Sequence, residues 1–256
     1  AITAHPERAK NHGFENILAF PDSVIGRYSS CSAVNLITSM MLGYDGFSAF
    51  LQGAHAMDKH YLDTDVFENI PLMLALMGIW NINFLNIPTQ LLLVYDSRLR
   101  LLLDYVQQMD MESNGKSVDN FGQPLQHATG PIIWGGLGNQ AHHSYYQLLT
   151  QGQRQVAIDF LSVAENDGSL INQLCHSRKT ILQEGVQDTM IGSEVIKPQI
   201  SCNHIHLKHL NPAGLGALVA LYENKVLTQA LIWNINPFNQ PGVESAKKHQ
   251  PRLNIG

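Results

Sequence analysis

The run Gln155-Val156-Ala157-Ile158-Asp159-Phe160 reads as a central β-strand, because a strand buried on both faces is near-continuously apolar rather than alternating. Working outward, Pro131 to Trp134 and Thr89 to Tyr95 upstream and Ile200 to Leu210 downstream have the same strand character. Between and around them lie helical patterns at Leu101 to Met109, Tyr145 to Gln151, Ser169 to Gln183 and Gly214 to Trp233. Strands that alternate with helices point to the α/β class, a parallel sheet flanked by helices on both faces. Further out, Phe47 to His60 is helical, and Glu68-Asn69-Ile70-Pro71 opens an apolar helix with Pro71 in the first turn, where a missing N–H matters little. Ile2 to Ala4 reads as the tail of a strand, and Pro6 to His12 as a helical turn closed by Gly13. The segment Gly185 to Gln199 is expected to be a loop, and no internal repeat or low-complexity linker interrupts the pattern.

Composition narrows the function classes. The 256 residues are 45% hydrophobic and 14% charged, which fits a globular chain with a large buried fraction. A net charge of -5 and scattered Lys and Arg lack the basic footprint of a nucleic-acid or anionic-membrane partner. Cys31, Cys175 and Cys202 are far apart and odd in number, which argues against a disulfide framework and fits a reducing cytoplasm. No basic region followed by an apolar core opens the chain, so no signal peptide is expected. The apolar run Ile70 to Ile87 is broken by Asn81 and Asn83 and reads as a buried helix, not a membrane span.

Chemistry-bearing residues gather in a few stretches. In Asp110-Met111-Glu112-Ser113-Asn114-Gly115-Lys116 a helical run meets a strong turn signal, and Glu112 sits where a carboxylate can be aimed into a cleft as a general base. In Gly26-Arg27-Tyr28-Ser29-Ser30 a glycine precedes an arginine, and the hydroxyls stand where a helix would start, with Val34, Leu36, Ile37, Met40 and Met41 as its apolar positions. Helix amides with a guanidinium suit an anion. His142-His143 follows the glycine-rich stretch Gly135 to Gln140 at the carboxyl end of a strand, where open sheets place ligands. Those glycines do not match a dinucleotide fingerprint, so no nicotinamide cofactor is expected. His204 and His206 would share a strand face, with His209 nearby, but no acidic or Cys ligand completes a zinc set, and no metal is expected. Phe238 to Lys247 reads as a turn entering a short helix, in which Glu244 and Lys248 are spaced as an i, i+4 pair. For each of these stretches a plain structural role remains open beside the functional one.

Taken in order along the chain, the pieces Gly26-Arg27-Tyr28-Ser29, Gly53-Ala54-His55-Ala56-Met57-Asp58, Asp110 to Lys116, Thr129-Gly130-Pro131-Ile132-Ile133-Trp134-Gly135, Gly216-Ala217-Leu218 through Leu221-Tyr222-Glu223, and Ile232-Trp233-Asn234-Ile235-Asn236 resemble the glucose-6-phosphate isomerase (phosphoglucose isomerase) family. The resemblance implies a helix-rich fold of sugar-isomerase (SIS-type) domains. Residues 1–45 would be the remainder of an incomplete first domain, 46–74 a helical connector, 75–238 the second domain, and 239–256 a C-terminal helix and tail. It also implies the roles of individual residues. Glu112 matches the base that moves a proton between C1 and C2 of the open sugar through a cis-enediol. Arg27 matches the arginine that stabilises its negative charge. His143 matches the ring-opening histidine, which in the family homodimer reaches the other subunit's site, and Lys247 matches a lysine at the ring oxygen. Gln108, Gln240 and Gly26 match substrate-binding positions, the substrate being a sugar phosphate with no cofactor.

The departures from the family pattern are equally specific. Ile25 stands where the family has a glycine before Gly26, which would crowd the loop. His142 beside His143 leaves two candidates for the acting imidazole. Pro251 should stop the terminal helix. Family chains are longer, and the part without a counterpart here carries the Ser/Thr-rich loop that grips the phosphate. A catalytic half, a non-catalytic sugar-phosphate-binding module and an inactive fragment are therefore all open.

Overall fold

The computed structural model describes residues 1–186, 195–199 and 201–249. In chain order these form β1 (Ile2–Thr3), α1 (Pro6–Asn11), β2 (Leu18–Ala19), α2 (Leu36–Asp63), α3 (Ile70–Asn83), β3 (Thr89–Val94), α4 (Leu102–Asn114), β4 (Ile132–Leu137), α5 (Tyr146–Gln151), β5 (Ala157–Val163), α6 (Leu170–Glu184), β6 (Cys202–Leu207), α7 (Pro212–Ile232) and α8 (Pro241–His249). The main sheet is parallel throughout, in the order β4-β3-β5-β6. β1 and β2 make a separate small parallel pair.

Alternation along β3 divides the core in two. Leu92 and Val94 face α4 and α7 with Val106, Met109, Leu221, Tyr222 and Val226. Leu91, Leu93 and Tyr95 face α5 and α6 with Leu149, Cys175 and Leu182. β5 repeats the division, with Leu161 and Val163 on the first face and Ile158 and Phe160 on the second. All seven residues of β5 are buried, as its apolar run requires. Each fully buried side chain of Leu or Phe size stabilises by about 1.5–3 kcal/mol, so this strand anchors both layers.

Two long helices meet at unusually short range. A Cβ on Gly53 of α2 would stand 1.9 Å from the Ala213 carbonyl oxygen, and one on Gly216 of α7 2.0 Å from the Phe50 carbonyl oxygen. The helices therefore touch backbone to backbone, which explains physically why glycines stand in both blocks.

Leu36–Asp63 is two helical stretches that meet at a kink at Gly43 (φ 70, ψ 174), and Phe47 to His60 lies within the second, as its separate pattern predicts. Several expectations are corrected. The amides of α2 begin at Leu36, well beyond Tyr28, because Gly26–Tyr28 and Ala33–Asn35 form 3-10 turns; no helix start meets Arg27 there. The apolar positions of α2's first turns face outward, with Ile37, Met40 and Met41 at 71%, 74% and 81% exposure. β4 runs through Gly135 and Gly136 to Leu137, because glycine lets its backbone pass where a Cβ at Gly135 would stand 2.1 Å from the Leu92 carbonyl oxygen. Val186 pairs with Ile196 within the expected loop, and residues 187–194 of that loop, Ile200 of the expected strand and Pro251 lie outside the described residues.

Candidate active site

Arg27 is the hub of the site. It is 4% exposed, and all five of its donors are used. Nε donates to Ser113 Oγ at 2.7 Å. Nη1 donates to Glu112 Oε2 at 2.9 Å and Gln240 Oε1 at 3.0 Å. Nη2 donates to the carbonyl oxygens of Pro237 at 2.6 Å and Asn239 at 3.1 Å. One planar fork thus joins the turn at residues 26–28, the end of α4 and the segment leading into α8. Burial presses the guanidinium pKa below its ordinary value, while Glu112 and Tyr28 pull it back up. Tyr28 completes the wall: its hydroxyl lies 3.2 Å from Ser113 Oγ and its ring meets Phe238 edge-on at 5.3 Å. Burial above all pushes the Tyr28 phenol up to about 12.

Glu112 stands at the last turn of α4 because Gly115 takes the C-cap position there. Its side chain is 25% exposed, so one face is held by Arg27 and the other opens on a cleft of about 350 Å³. Met111, Lys116, Gln240, Pro241 and Val243 line that cleft with it. Lys116 carries no functional assignment in the sequence reading, yet its Nζ donates to the carbonyl oxygens of Glu112 (2.7 Å) and Ser113 (2.6 Å). A lysine just past a helix end is the available signal, since it can cap the last carbonyls. Burial, then the charge of Arg27, pushes its pKa down to about 8 against the pull of Glu112.

The structure brings Arg27, Glu112 and Gln240 into direct contact. Gln108 is exposed on α4 four residues before Glu112, on the same helix face. Lys247 is exposed on α8, and His143 is exposed at the end of the 3-10 turn Gly138–His143. Among the described residues, Gln108, His143 and Lys247 make no hydrogen bond or ion pair to Arg27 or Glu112. Beyond its two chain neighbours, nothing lies within 4 Å of a Cβ built on Gly26. Glu244 accepts from Gln240 Nε2 at 3.0 Å, and among the described residues it forms no ion pair with Lys248.

Two other clusters are less suited to this chemistry. A larger cleft of about 540 Å³ lies at the carboxyl ends of the strands, lined by Asp96, Arg98, Asn139, Glu165 and Asn166. Its charges are spent on one another: Arg98 bridges Asp96 at 2.7 Å and Glu165 at 3.6 Å. His204 and His206 do share a face of β6, and both rings bond Ser162 Oγ at 2.7 Å. His209 instead turns to Glu165 at 3.1 Å. Among the described residues no group of three donors converges to hold a metal ion.

The phosphoglucose isomerase family model matches residues 1–254. Glucose-6-phosphate isomerase from Legionella pneumophila (strain Paris) is 52% identical over 255 residues, covering 100% of this chain and 51% of that protein. Glucose-6-phosphate isomerase 1 of Chromohalobacter salexigens is 42% identical, covering 91% of this chain and 44% of its own length. The crystal structure of a glucose-6-phosphate isomerase from Chlamydia trachomatis D/UW-3/Cx superposes with a TM-score of 0.86 at 33% identity, over 93% of this chain and 48% of that one. The chain spans about half the length of the curated relatives it matches.

Proposed function

The chain belongs to the phosphoglucose isomerase family, and from that premise we propose that it carries the proton-transfer machinery of an aldose-ketose isomerase interconverting glucose 6-phosphate and fructose 6-phosphate. The observation that carries the proposal is the Glu112 carboxylate, held 2.9 Å from a buried arginine with its free side on a cleft. Glu112 takes the proton from C2 of the open aldose and returns it to C1. A carboxylate suits the task because its oxygens reach adjacent carbons without a change of base. Arg27 faces the charge that develops on the enediolate oxygens, and its preset fork needs no reorganisation when that charge appears. Gln240 and Gln108 orient the sugar, and Gly26 leaves room at the turn beside Arg27.

Lys247 and His143 serve ring opening in this reading. α8 starts at Pro241 on the cleft wall, which puts Lys247 on an element that borders the site. His143 is exposed and outside the cleft, as expected of a side chain given to the second copy in a homodimer. Three free cysteines fit a cytoplasmic enzyme, and among the described residues no helix is long and apolar enough to cross a membrane.

Incubating the purified chain with fructose 6-phosphate in deuterated water tests the proposal. Glucose 6-phosphate bearing deuterium at C2 is the expected product, and Glu112→Gln is expected to abolish it while sugar-phosphate binding persists. Turnover retained by Glu112→Gln would refute the assignment of the base. Binding without exchange in the wild type would leave a sugar-phosphate-binding module.

A further inference from the structure

Beneath Glu112 lies a polar network that the proposed reaction does not use. Lys225 of α7 and Asp110 of α4 have side chains 1% and 0% exposed, with Nζ and Oδ2 3.0 Å apart. Lys225 also donates to Gln90 Oε1 of β3 at 3.2 Å. Gln90 in turn donates to Asp159 of β5 at 2.5 Å, and Asn203 of β6 donates to the other Asp159 oxygen at 2.8 Å. The remaining Asp110 oxygen accepts from Asn114 at 3.0 Å, and Asn114 donates on to Gln229 of α7 at 3.2 Å. Burial raises the Asp159 carboxyl above its ordinary range, with Lys225 opposing.

A fully buried ion pair is a poor source of stability, because desolvating both ions offsets much of their attraction. Its place in the fold suggests another use. Asp110 and Asn114 are one helical turn apart and share the inner face of α4, whereas Glu112 lies between them in sequence and about 200° round the axis from Asp110. The inner pair therefore sets the roll of the turn whose outer side presents the base. We propose that Asp110 and Asn114, gripped by Lys225 and Gln229, are positioning residues that hold the Glu112 carboxylate in place against Arg27. This inference rests on the isomerase reading above. A roll of about 10° would carry a carboxylate some 5–6 Å from the helix axis through about 1 Å. Misplacement of that size costs on the order of a hundredfold in rate.

Asp110→Asn in the purified chain tests the role by two readouts. The first is solvent exchange of the Arg27 Nε–H, which donates to Ser113 on the same turn and is assigned in NMR spectra by its loss in Arg27→Lys. Exchange is expected to speed by about tenfold or more as the turn loosens. The second is turnover of fructose 6-phosphate, in which kcat is expected to fall roughly 10–100-fold with KM nearly constant. Should the stranded Lys225 ammonium prevent folding, Asp110→Asn with Lys225→Met removes both charges and is expected to fold with the same faster exchange. Unchanged Arg27 exchange in a folded variant overturns the inference, as does unchanged kcat where the wild type turns over. A wild type that neither binds nor converts the sugar phosphate refutes the isomerase reading, and the exchange measurement then decides the positioning role alone.

Discussion

Gly216→Ala adds one methyl group where α7 meets α2, and the structure gives its cost. The new Cβ would stand 2.0 Å from the Phe50 carbonyl oxygen, where ordinary contact begins at 3.4 Å. Both obstacles, the Phe50 carbonyl and the Ala54 amide nitrogen at 3.0 Å, are backbone, so no side chain can swing aside. The helices must part by about 1.4 Å, and a gap of that size forfeits more than half of the dispersion energy between the atoms it separates. Overpacking of this kind costs about 1–3 kcal/mol, and rigid helical backbone places this case near the upper value. Alanine's better helix propensity returns about 1 kcal/mol. The net expectation is a loss of about 2 kcal/mol, a midpoint lower by roughly 4–8 °C in a chain of this size. Thermal and urea unfolding followed by circular dichroism measure it directly. In an unobstructed helix the same substitution would stabilise by about 1 kcal/mol, so a midpoint unchanged or raised refutes the close approach.

Arg27→Lys keeps the charge but loses the fork. Turnover is expected to fall about a hundredfold, the equivalent of about 3 kcal/mol for one preorganised donor, and an activity within threefold of wild type would contradict the role. The imidazole of His204 is pushed down to about 4, first by burial and then by Lys179, His176 and His206. The folded state therefore binds fewer protons than the unfolded chain between about pH 4 and 6.5. Stability is expected to fall as pH drops through that window, and His204→Asn should flatten the slope in urea titrations at stepped pH.

How much of this was legible in the chain depended on the range of the interactions. β3 and β5 could be read because a strand buried on both faces is apolar nearly throughout, and Asn69 with Pro71 marks the start of α3 through local capping. Gly135-Gly136 misled, since a glycine pair reads as a turn unless the neighbouring backbone of Leu92 is known to press against it. The break at Gly43 was legible through its result, two helical patterns on either side of it. At the site, Glu112 was marked by a nearby turn signal. The contacts of Arg27 with Pro237 and Asn239 bridge more than 200 residues and leave no local pattern. The Lys225 network was hidden for the same reason, since a lysine amid apolar helix residues shows its partner only once α4 and α7 are packed.

The pairing of α2 with α7 also has a consequence for the ribosome. α2 ends at Asp63 and α7 begins at Pro212, so about 150 residues separate the two halves of the glycine contact. At synthesis rates of about 5–20 residues per second, α2 waits roughly 8–30 seconds for the surface that covers Phe50 and Ala54. During that interval it is an apolar helix without its partner, a substrate for chaperones that hold nascent chains.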